Sequence, residues 1–478
     1  MKYIKFIALL ALIPFIANIS FAQTSSTTAV AQSYTKDAST FGFLPENDGI
    51  TNAKALQKAV DGGGTIRITK AGVYQIAKEI LLDDNTNLIF DANVFIKKVA
   101  QLDRFSFVFI NRGAFERKTN KNIRIEGLHL IVNGVDYKDP RITGLCGQVS
   151  FFHVKDLRIE RFRCYDLAKA QFCIQVCTFE NILINDIAVH GMKDGVHLGR
   201  GKRFKVSNAE FMTFDDAVAL NAHDYSTSNP ELGWIEDGIV ENITDLNQFD
   251  TTGFFSRIIA GSWTDWKEGM QIRRSDTVVS EGRLYRCANA PDGKVYISKT
   301  RPTHKDGVKK LDDIVWVMCQ NDVVYTAGVR NVVYRDIYLY KPRTSFLFSF
   351  ENDNYCRSYY PDAQFVLQEN IVFDNIRVMH NANKPFITAF TPIDSLVIKN
   401  CVLKENCIRF FDKAKMKDYG KTFIRMYGCT INSPKTFNFI ENKIDNKVID
   451  FYSNGTIITG KKPTILNKEK SSKFNCDF

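Results

Sequence analysis

The sequence has little of the pattern that is typical of α-helices or of β-hairpins. Across 478 residues, only one short segment places apolar residues on a helical face, and turn dipeptides such as Asn-Gly are sparse. An antiparallel sandwich would carry a hairpin signal between most pairs of strands. The scarcity of both patterns therefore argues against a helical protein and against an antiparallel sandwich.

Metal-ligand spacing is also absent from the cysteines. There are eleven of them, an odd number, spread along the chain. Without a Cys-x-x-Cys type of pattern we predict no metal site and no cofactor. Cys173 and Cys177 have alternating apolar neighbours and are predicted to lie buried in a strand. Cys287 and Cys319 are candidates for a disulfide if the protein folds in an oxidising compartment.

Long apolar runs are missing after the first segment. Met1 to Ala22 has an early Lys2 and Lys5, an apolar run and small residues near Ala22, which predicts a signal peptide over residues 1–22. No later run is long enough to cross a membrane, so we expect an exported, periplasmic or secreted protein without membrane insertion. The Ser/Thr-rich residues 23–40 are interpreted as a flexible leader.

One short amphipathic segment lies near residue 50. Thr51 or Asn52 is positioned to cap a helix whose Ala55, Leu56, Ala59 and Val60 share one face. Three glycines end this helix, and the strand-like TIRI follows. A helix at this place is expected to cover the open edge of a sheet.

From residue 121 onward a repeat becomes visible. Its members alternate apolar and other residues, with a polar pair in the middle, and their shortest spacing is about 22–25 residues. They are NIRIEGLHL (from 122), DLRIERFRC (156), NILINDIAV (181), RFKVSNAEF (203), GIVENITDL (238), NVVYRDIYL (331), NIVFDNIRV (370) and SLVIKNCVL (395). Short strands repeating at this period predict a parallel β-solenoid.

One long interruption divides the repeat. Residues 262–327 hold Trp263, Trp266 and Trp316, three of the four tryptophans, and are predicted to form a small inserted β module. The tryptophans could stack on sugar faces, but we favour their being the core of the module. The predicted solenoid therefore comprises residues 41–261 and 328–460, with a basic tail over 461–478.

The candidate catalytic residues are Asp194, Asp215 and Asp216. Asp194 precedes Asp215 by nearly one repeat, which puts the acids on adjacent strands roughly 4.8 Å apart. Repulsion between like charges should raise the pKa of one of them and leave an acid beside a base. That pair is what protonation of a leaving oxygen and activation of water require. The net charge of +10 suits an acidic polysaccharide, although it equally suits solubility.

These segments resemble a known family. The N-terminal DGITNAKALQKAVDGGGTIRI followed by the repeats resembles the pectin-lyase-like superfamily. KDGVHLG and TFDDAVAL resemble the active-site region of glycoside hydrolase family 28, which carries Asn-x-Asp-Gly and then Gly-Asp-Asp. The resemblance implies an all-β, right-handed parallel β-helix with an N-terminal capping helix and the inserted module. It also implies inverting hydrolysis, with Asp216 as the proton donor.

The chain departs from the family at its substrate-binding motifs. The Gly-His-Gly and Arg-Ile-Lys of the following coils are absent, and Met192 and Phe214 replace the Asn and the Gly of the two motifs. Arg257, on the next coil, is suited to clamp a carboxylate or sulfate. The predicted substrate-binding residues are His197, Asn221, His223, Asp224 and Arg257.

Three functions are compatible with these residues. The first is a hydrolase of a polysaccharide, which we prefer because the acid spacing matches the repeat and needs no metal. The second is a polysaccharide lyase, which would need Ca²⁺ or an Arg/Lys pair beside the acids. The third is a non-catalytic glycan-binding solenoid. The expected partner is a polysaccharide and not a nucleic acid, and the oligomeric state is left open.

Overall fold

Short parallel strands make up most of the chain, as the alternation of apolar residues predicts. The structure, a computed structural model, describes residues 35–100, 105–136, 141–247 and 250–478. Thr35–Phe478 forms one compact unit. The predicted signal peptide, and the leader up to residue 34, lie outside the described residues.

The strands wind into successive coils. The first half contains β1 (Thr35–Asp37), β2 (Gly64–Ile68), β3 (Gly72–Ile76), β4 (Ile80–Leu82), β5 (Thr86–Phe90), β6 (Val94–Lys98), β7 (Phe109–Asn111), β8 (Asn120–Glu126), β9 (His129–Ile131), β10 (Gly147–Leu167), β11 (Phe172–Gly191), β12 (Val196–Leu198), β13 (Gly201–Thr213), β14 (Val218–Asn221), β15 (Ile235–Asp245) and β16 (Ser256–Ile259). The α-helix is α1 (Gly49–Val60), and two 3₁₀ turns span Ala38–Phe41 and Arg112–Glu116.

The insertion and the second half follow in the same order. The insertion contains β17 (Gly261–Ser262), β18 (Thr264–Asp265), β19 (Met270–Ile272), β20 (Thr277–Ser280), β21 (Arg283–Cys287), β22 (Tyr296–Ser298), β23 (Val308–Leu311), β24 (Ile314–Gln320) and β25 (Thr326–Ala327). The second half contains β26 (Val329–Leu339), β27 (Phe346–Ser349), β28 (Glu369–Val378), β29 (Ile387–Ala389), β30 (Ser395–Lys399), β31 (Val402–Leu403), β32 (Ile408–Phe410), β33 (Lys421–Tyr427), β34 (Thr430–Ser433), β35 (Asn438–Asn442), β36 (Val448–Asn454), β37 (Ile457–Gly460), β38 (Thr464–Asn467) and β39 (Lys473–Asn475).

Three parallel stacks form the faces of the solenoid. In one of them, β11, β12, β14, β16, β27 and β29 pair in succession, all in parallel. Val196 pairs with Val218, Val218 with Ser256 and Ser256 with Phe346. Every second side chain points inward to one continuous apolar core. The intervening side chains of this stack point outward, and they build the candidate site.

Asparagine and aspartate occupy the corners between the stacks. Asn208 and Asn242 both have positive φ, 54° and 51°, a conformation that Asn tolerates better than most residues. Asn242 donates its side-chain amide to the side-chain oxygen of Asn208, so the two amides stack at this corner. Asn375 and Asn400 do not bond to each other, because Asn375 donates to Asp336 and Asn400 to Asp374.

The capping helix is present, but its N-cap differs from the prediction. Asp48 caps α1, because its Oδ1 accepts hydrogen bonds from the backbone of Ile50 and Thr51 at 2.8 and 2.9 Å. Asn52 lies buried inside the helix, and its Oδ1 accepts from the backbone N–H of Leu44. The apolar face packs into the main core, so the helix closes the first coil as expected.

Both ends of the solenoid extend further than predicted. Residues 35–40 were assigned to the leader, but β1 pairs with β2 in parallel and a 3₁₀ turn follows. At the other end, β38 and β39 within the predicted basic tail pair with β35 and β36. Lysines in this segment masked the alternation, because charged side chains on an outward face are compatible with a strand.

The inserted module is a small, mostly antiparallel unit with its own core. β17 and β25 pair at its base, and β18, β20, β21, β24 and β23 form a five-stranded sheet. Trp266 and Trp316 lie in the module's core, as we favoured. Trp263 is also buried, but it packs in the main core, so its assignment to the core of the module is wrong. Cys287 and Cys319 are free thiols in different cores, and the suggested disulfide is therefore wrong.

No helix in the described part of the chain is both long and apolar enough to span a membrane.

Candidate active site

The candidate site lies just before two paired strands, β12 and β14, which belong to neighbouring coils. Lys193 and Asp194 precede β12, and Asp215 and Asp216 precede β14. The backbone N–H of Gly195 donates to the carbonyl of Asp216 at 3.0 Å. The register therefore sets Asp194 level with Asp216 and Lys193 level with Asp215, one residue away from the alignment that the sequence spacing suggested.

The three carboxylates meet as predicted. One oxygen from each of Asp194, Asp215 and Asp216 lies within 4.8 Å of the other two. Asp194 and Asp216 are buried, whereas the side chain of Asp215 is 19% exposed. Lys193 contacts the carboxylate of Asp215 directly, and its Nζ lies 3.9 Å from Asp194 Oδ1.

The charges around the cluster separate the pKa values of its members. Burial raises the pKa of Asp216 well above its usual range, and the charges of Asp215 and Asp194 raise it further. Burial and the charge of Asp194 also raise the pKa of Asp215, although Lys193 opposes this. Burial acts in the same direction on Asp194, but Lys193 and His197 outweigh it and hold the pKa of Asp194 below its usual value. The surroundings thus favour the protonated form of Asp216 and the ionised form of Asp194.

His197 is fixed on both sides. Its Nδ1 lies 2.9 Å from Asp194 Oδ2, and its ring stacks on Phe172 with centroids 3.9 Å apart. Its Nε2 is 3.7 Å from the carboxylate of Asp224, which in turn accepts a 2.8 Å hydrogen bond from the side chain of Asn221. His197, Asn221 and Asp224 therefore lie together beside Asp194.

Arg257 lies one coil further and belongs to a buried ionic chain. Its side chain is 15% exposed, and one of its nitrogens lies 3.0 Å from Glu351 Oε1. Glu351 also contacts Lys413 at 2.7 Å. Arg257 donates to the hydroxyl of Tyr225 at 3.3 Å. Its Nε is buried without a hydrogen-bond partner among the described residues, so this guanidinium still has a donor to offer.

A cavity of about 360 Å³ joins these groups, a volume within the usual range for small-molecule sites. It is lined by Lys169, Ala170, Phe172, Lys193, Asp194, Asp215, Asp224, Tyr225, Thr227, Ser228, Arg257, Arg274 and Tyr355. Cations and aromatic rings thus surround the acid cluster. Cationic groups and ring faces of this kind can contact the anionic groups and the apolar faces of a ligand.

His223 does not join the cavity. It is buried against the module, where its Nε2 lies 3.2 Å from Thr277 Oγ1 and its ring lies 5.7 Å from that of Trp263. Burial and nearby Arg286 lower its pKa well below the usual value. Its predicted substrate contact is therefore a misassignment, because the loop after β14 turns this side chain towards the module.

Three acids this close together are also spaced to hold a divalent cation. Lys193 already brings a positive charge to Asp215. Without a cation, the arrangement supports proton transfer, with Asp194 as base and the Asp215–Asp216 pair as acid.

Sequence reasoning missed several residues of this site. Lys193 stands directly before Asp194 in the motif, so the motif itself was the available signal. Glu351 and Tyr355 come from the loop after β27, and Arg274 comes from the module. Nothing in the sequence indicates that these distant segments meet at one cavity.

Comparisons with known proteins support the fold. No protein-family model matches the sequence, and no curated protein does either. Among solved structures, the A-module of mannuronan C-5 epimerase AlgE4 from Azotobacter vinelandii is similar with a TM-score of 0.55 at 14% identity, over 92% of this chain and 100% of that module. The AlgE6 A-module from the same organism gives 0.51 at 12% identity, over 92% and 97%.

A family 28 exopolygalacturonase from Yersinia enterocolitica is similar at a TM-score of 0.47 and 11% identity, over 92% of this chain and 77% of that one. Identities this low bear on the fold alone. The two A-module structures, together with the three parallel stacks, confirm the predicted class: the protein is a parallel β-helix.

Proposed function

We propose that the protein is an exported glycoside hydrolase that degrades an acidic polysaccharide at the Asp194, Asp215 and Asp216 cluster. The observation that carries the proposal is the meeting of the three carboxylates, whose oxygens lie within 4.8 Å of one another, in surroundings that raise the pKa of Asp216 and lower that of Asp194. A hydrolase needs one carboxyl group that donates a proton and another that accepts one. Both forms are available here beside a cavity lined with cations.

The chemistry follows from these protonation states. The proton held by the Asp215–Asp216 pair passes to the glycosidic oxygen as the bond between that oxygen and the anomeric carbon breaks. Ionised Asp194 takes a proton from the water whose oxygen forms the new bond to the anomeric carbon. Asp215 faces the cavity and contacts the substrate, whereas buried Asp216 holds the proton.

Arg257 and Lys193 bind the acidic groups of the substrate in this proposal. Both line the cavity, and Arg257 has an unused Nε donor. A guanidinium recognises a carboxylate or sulfate through two parallel hydrogen bonds. His197 and Asn221 hold Asp194 and Asp224 in place behind the substrate.

The inverting stereochemistry rests on the family 28 resemblance alone. The carboxylate oxygens lie within 4.8 Å of one another, closer than the roughly 6.5–9.5 Å between the two carboxyl groups of most inverting enzymes. The anomer first formed, followed by proton NMR during hydrolysis, tests this part. If the first product keeps the configuration of the substrate, the mechanism is a two-step displacement with retention and not inversion.

A lyase or epimerase acting on uronates is the second candidate, and one observation favours it. Lys193 and Arg257 flank ionised Asp194 at the cavity, which is the cation pair that the sequence did not reveal. Cations that neutralise a uronate carboxylate make the proton on the adjacent carbon more acidic. In a lyase, removal of that proton is followed by loss of the oxygen at the β carbon, which gives an unsaturated sugar. In an epimerase, a proton returns to the same carbon from the opposite face and inverts its configuration. Two structures of this fold are named as mannuronan C-5 epimerases.

One experiment separates these functions. Purified protein and the variants Asp215→Asn and Asp216→Asn are incubated with acidic and neutral polysaccharides, while reducing ends and the ultraviolet absorbance of unsaturated uronates are followed. Asp306→Asn, at an exposed turn of the module, is the matched control. Reducing ends without absorbance, lost by about 10²–10⁴-fold in the variants, support the hydrolase.

The other outcomes decide against it. Absorbance that rises with the reducing ends identifies a lyase, and a changed uronate composition without chain cleavage identifies an epimerase. Binding without any reaction favours a non-catalytic glycan-binding solenoid. Export is tested separately by sequencing the N-terminus of protein recovered outside the cytoplasm, which we expect to begin at Gln23.

A further inference from the structure

The inserted module contacts the walls of the candidate active site. Arg286, in β21, donates to the backbone carbonyls of Asn229 and Tyr225 at 2.6 and 3.1 Å. Ser275 accepts a 2.9 Å hydrogen bond from the backbone of Ser226 and donates a 2.8 Å one to the carbonyl of Tyr355. The module therefore holds two loops that each contribute a tyrosine to the cavity.

The module also places one of its own side chains in that cavity. Arg274 stands next to Ser275 in the chain and lines the cavity. Its Nη1 donates to the carbonyl of Asn289 at 2.7 Å, and Asn289 is itself fixed by hydrogen bonds to Asp313 and Val315. The guanidinium is thus anchored at one nitrogen before any ligand arrives.

The rest of this guanidinium has no counter-ion. Its Nε is buried without a hydrogen-bond partner among the described residues, and the charged groups that act on it most include Arg286 but no carboxylate. Burial accordingly lowers the pKa of Arg274. Arg257 and Lys193, in contrast, are each paired with a carboxylate, Glu351 and Asp215. A half-buried cation without a counter-ion is an anion site, because an incoming carboxylate recovers the electrostatic energy that burial removed.

We propose that Arg274 binds a second anionic group of the substrate, a carboxylate or a sulfate on a sugar unit other than the one held by Arg257. The inference rests on the proposed function and deepens it: the module supplies a specificity residue, and the substrate carries acidic groups on at least two of the units in the cavity. Because the contacts of Arg286 and Ser275 hold this wall before binding, little ordering is needed when the substrate arrives.

The test measures binding as well as turnover. Arg274→Gln, Arg274→Lys and the control Arg283→Gln, also in the module but outside the cavity lining, are each made alone and together with Asp216→Asn. The probes are uronic acid hexamers, the same hexamers with part of their carboxylates methyl-esterified, and sulfated galactan hexamers. Dissociation constants come from calorimetry on the Asp216→Asn proteins, and KM and kcat from the others.

We expect Arg274→Gln to weaken binding of one fully acidic hexamer, and to raise its KM, by about 10- to 100-fold, with kcat changed by less than about twofold. The affinity for the partly esterified hexamer should fall by less than about threefold. Arg274→Lys should restore part of the affinity for the acidic hexamer, because it keeps the charge. Whichever acidic hexamer shows the loss identifies the anion as carboxylate or sulfate. Arg283→Gln should behave as the parent.

Three results would overturn the inference. An equal loss on acidic and esterified hexamers would make Arg274 merely structural, as would a matching fall in melting temperature that Arg274→Lys does not restore. If Arg274→Gln loses no affinity for any hexamer, Arg274 does not bind the substrate. If the parent protein hydrolyses the substrate and Arg274→Gln has no effect, the proposed hydrolase function stands and the role of Arg274 is rejected. If binding requires Arg274 but no hydrolysis occurs, the hydrolase function is rejected instead. Failure of all three hexamers to bind the parent protein overturns both.

Discussion

Arg257 and Glu351 form an ion pair of 3.0 Å between two neighbouring coils at the edge of the cavity. Glu351 is also contacted by Lys413 and by the hydroxyl of Ser349. The carboxylate therefore fixes the position of Arg257, which is the side chain that we assign to the acidic group of the substrate. Three predictions follow from this pair and from the groups around the cluster, and a fourth concerns the cysteines.

Glu351→Gln should weaken substrate binding without removing catalysis. Glutamine keeps the shape of the glutamate side chain but lacks the charge that orients Arg257. The substitution also leaves the buried charge of Arg257 and the charge of Lys413 without a carboxylate partner. We expect KM to rise by about tenfold with kcat changed little, and the free energy of unfolding to fall by about 3 kcal/mol. Steady-state kinetics and urea unfolding measure the two effects. An unchanged KM would show that Arg257 does not depend on Glu351.

The same glutamate should control the stability of the protein in acid. Burial opposes its ionisation, but Arg257 and Lys413 lower the pKa of Glu351 to about 2, whereas an unfolded glutamate titrates near about 4.3. A lowered pKa in the folded state stabilises the protein above about pH 4.3 and loses that effect as the pH falls towards 2, by up to about 3 kcal/mol. Urea unfolding from pH 5 to pH 2 should show this slope, and Glu351→Gln should reduce it. Equal slopes in both proteins would contradict the assignment.

Lys193→Met should shift the acid limb of the pH–activity profile to higher pH. Lys193 lowers the pKa of Asp194 against the effect of burial, so its removal raises that pKa and the base becomes protonated at a higher pH. A shift of about one unit corresponds to about 1.4 kcal/mol of lost interaction. Profiles of kcat/KM from pH 3 to pH 9 measure it. An acid limb that stays in place would assign the base to another residue.

Cys287 and Cys319 should titrate as thiols without a reductant. Both are free and buried in the structure. Alkylation of the denatured protein without reductant should therefore label both of them, whereas the native protein should react slowly. Peptide mapping that finds Cys287 linked to Cys319 would contradict this prediction, since these two thiols lie in separate cores.

The repeat and the acid cluster were predictable because they depend on local spacing. Alternating apolar residues fix which side chains enter the core, and a constant repeat length brings equivalent positions onto adjacent strands. Asp194, Asp215 and Asp216 were recognisable for that reason, and His197 because it stands three residues after Asp194.

The other parts of the site depended on the path of the insertions. His223 was assigned to the substrate, but the loop after β14 turns it towards the module. Cys287 and Cys319 share one insertion, but their side chains enter different cores. No periodicity governs such loops, so their side-chain directions are decided only when they pack.

The sequence by itself thus determined the parallel β-helix, the capping helix, the module and the cluster of three aspartates. All of these follow from patterns that repeat along the chain. Only the tertiary structure decided that Lys193 lies against Asp215, that Glu351 holds Arg257, and that Arg274 reaches the cavity from the module. Those contacts join segments that have no common spacing, and packing alone brings them together.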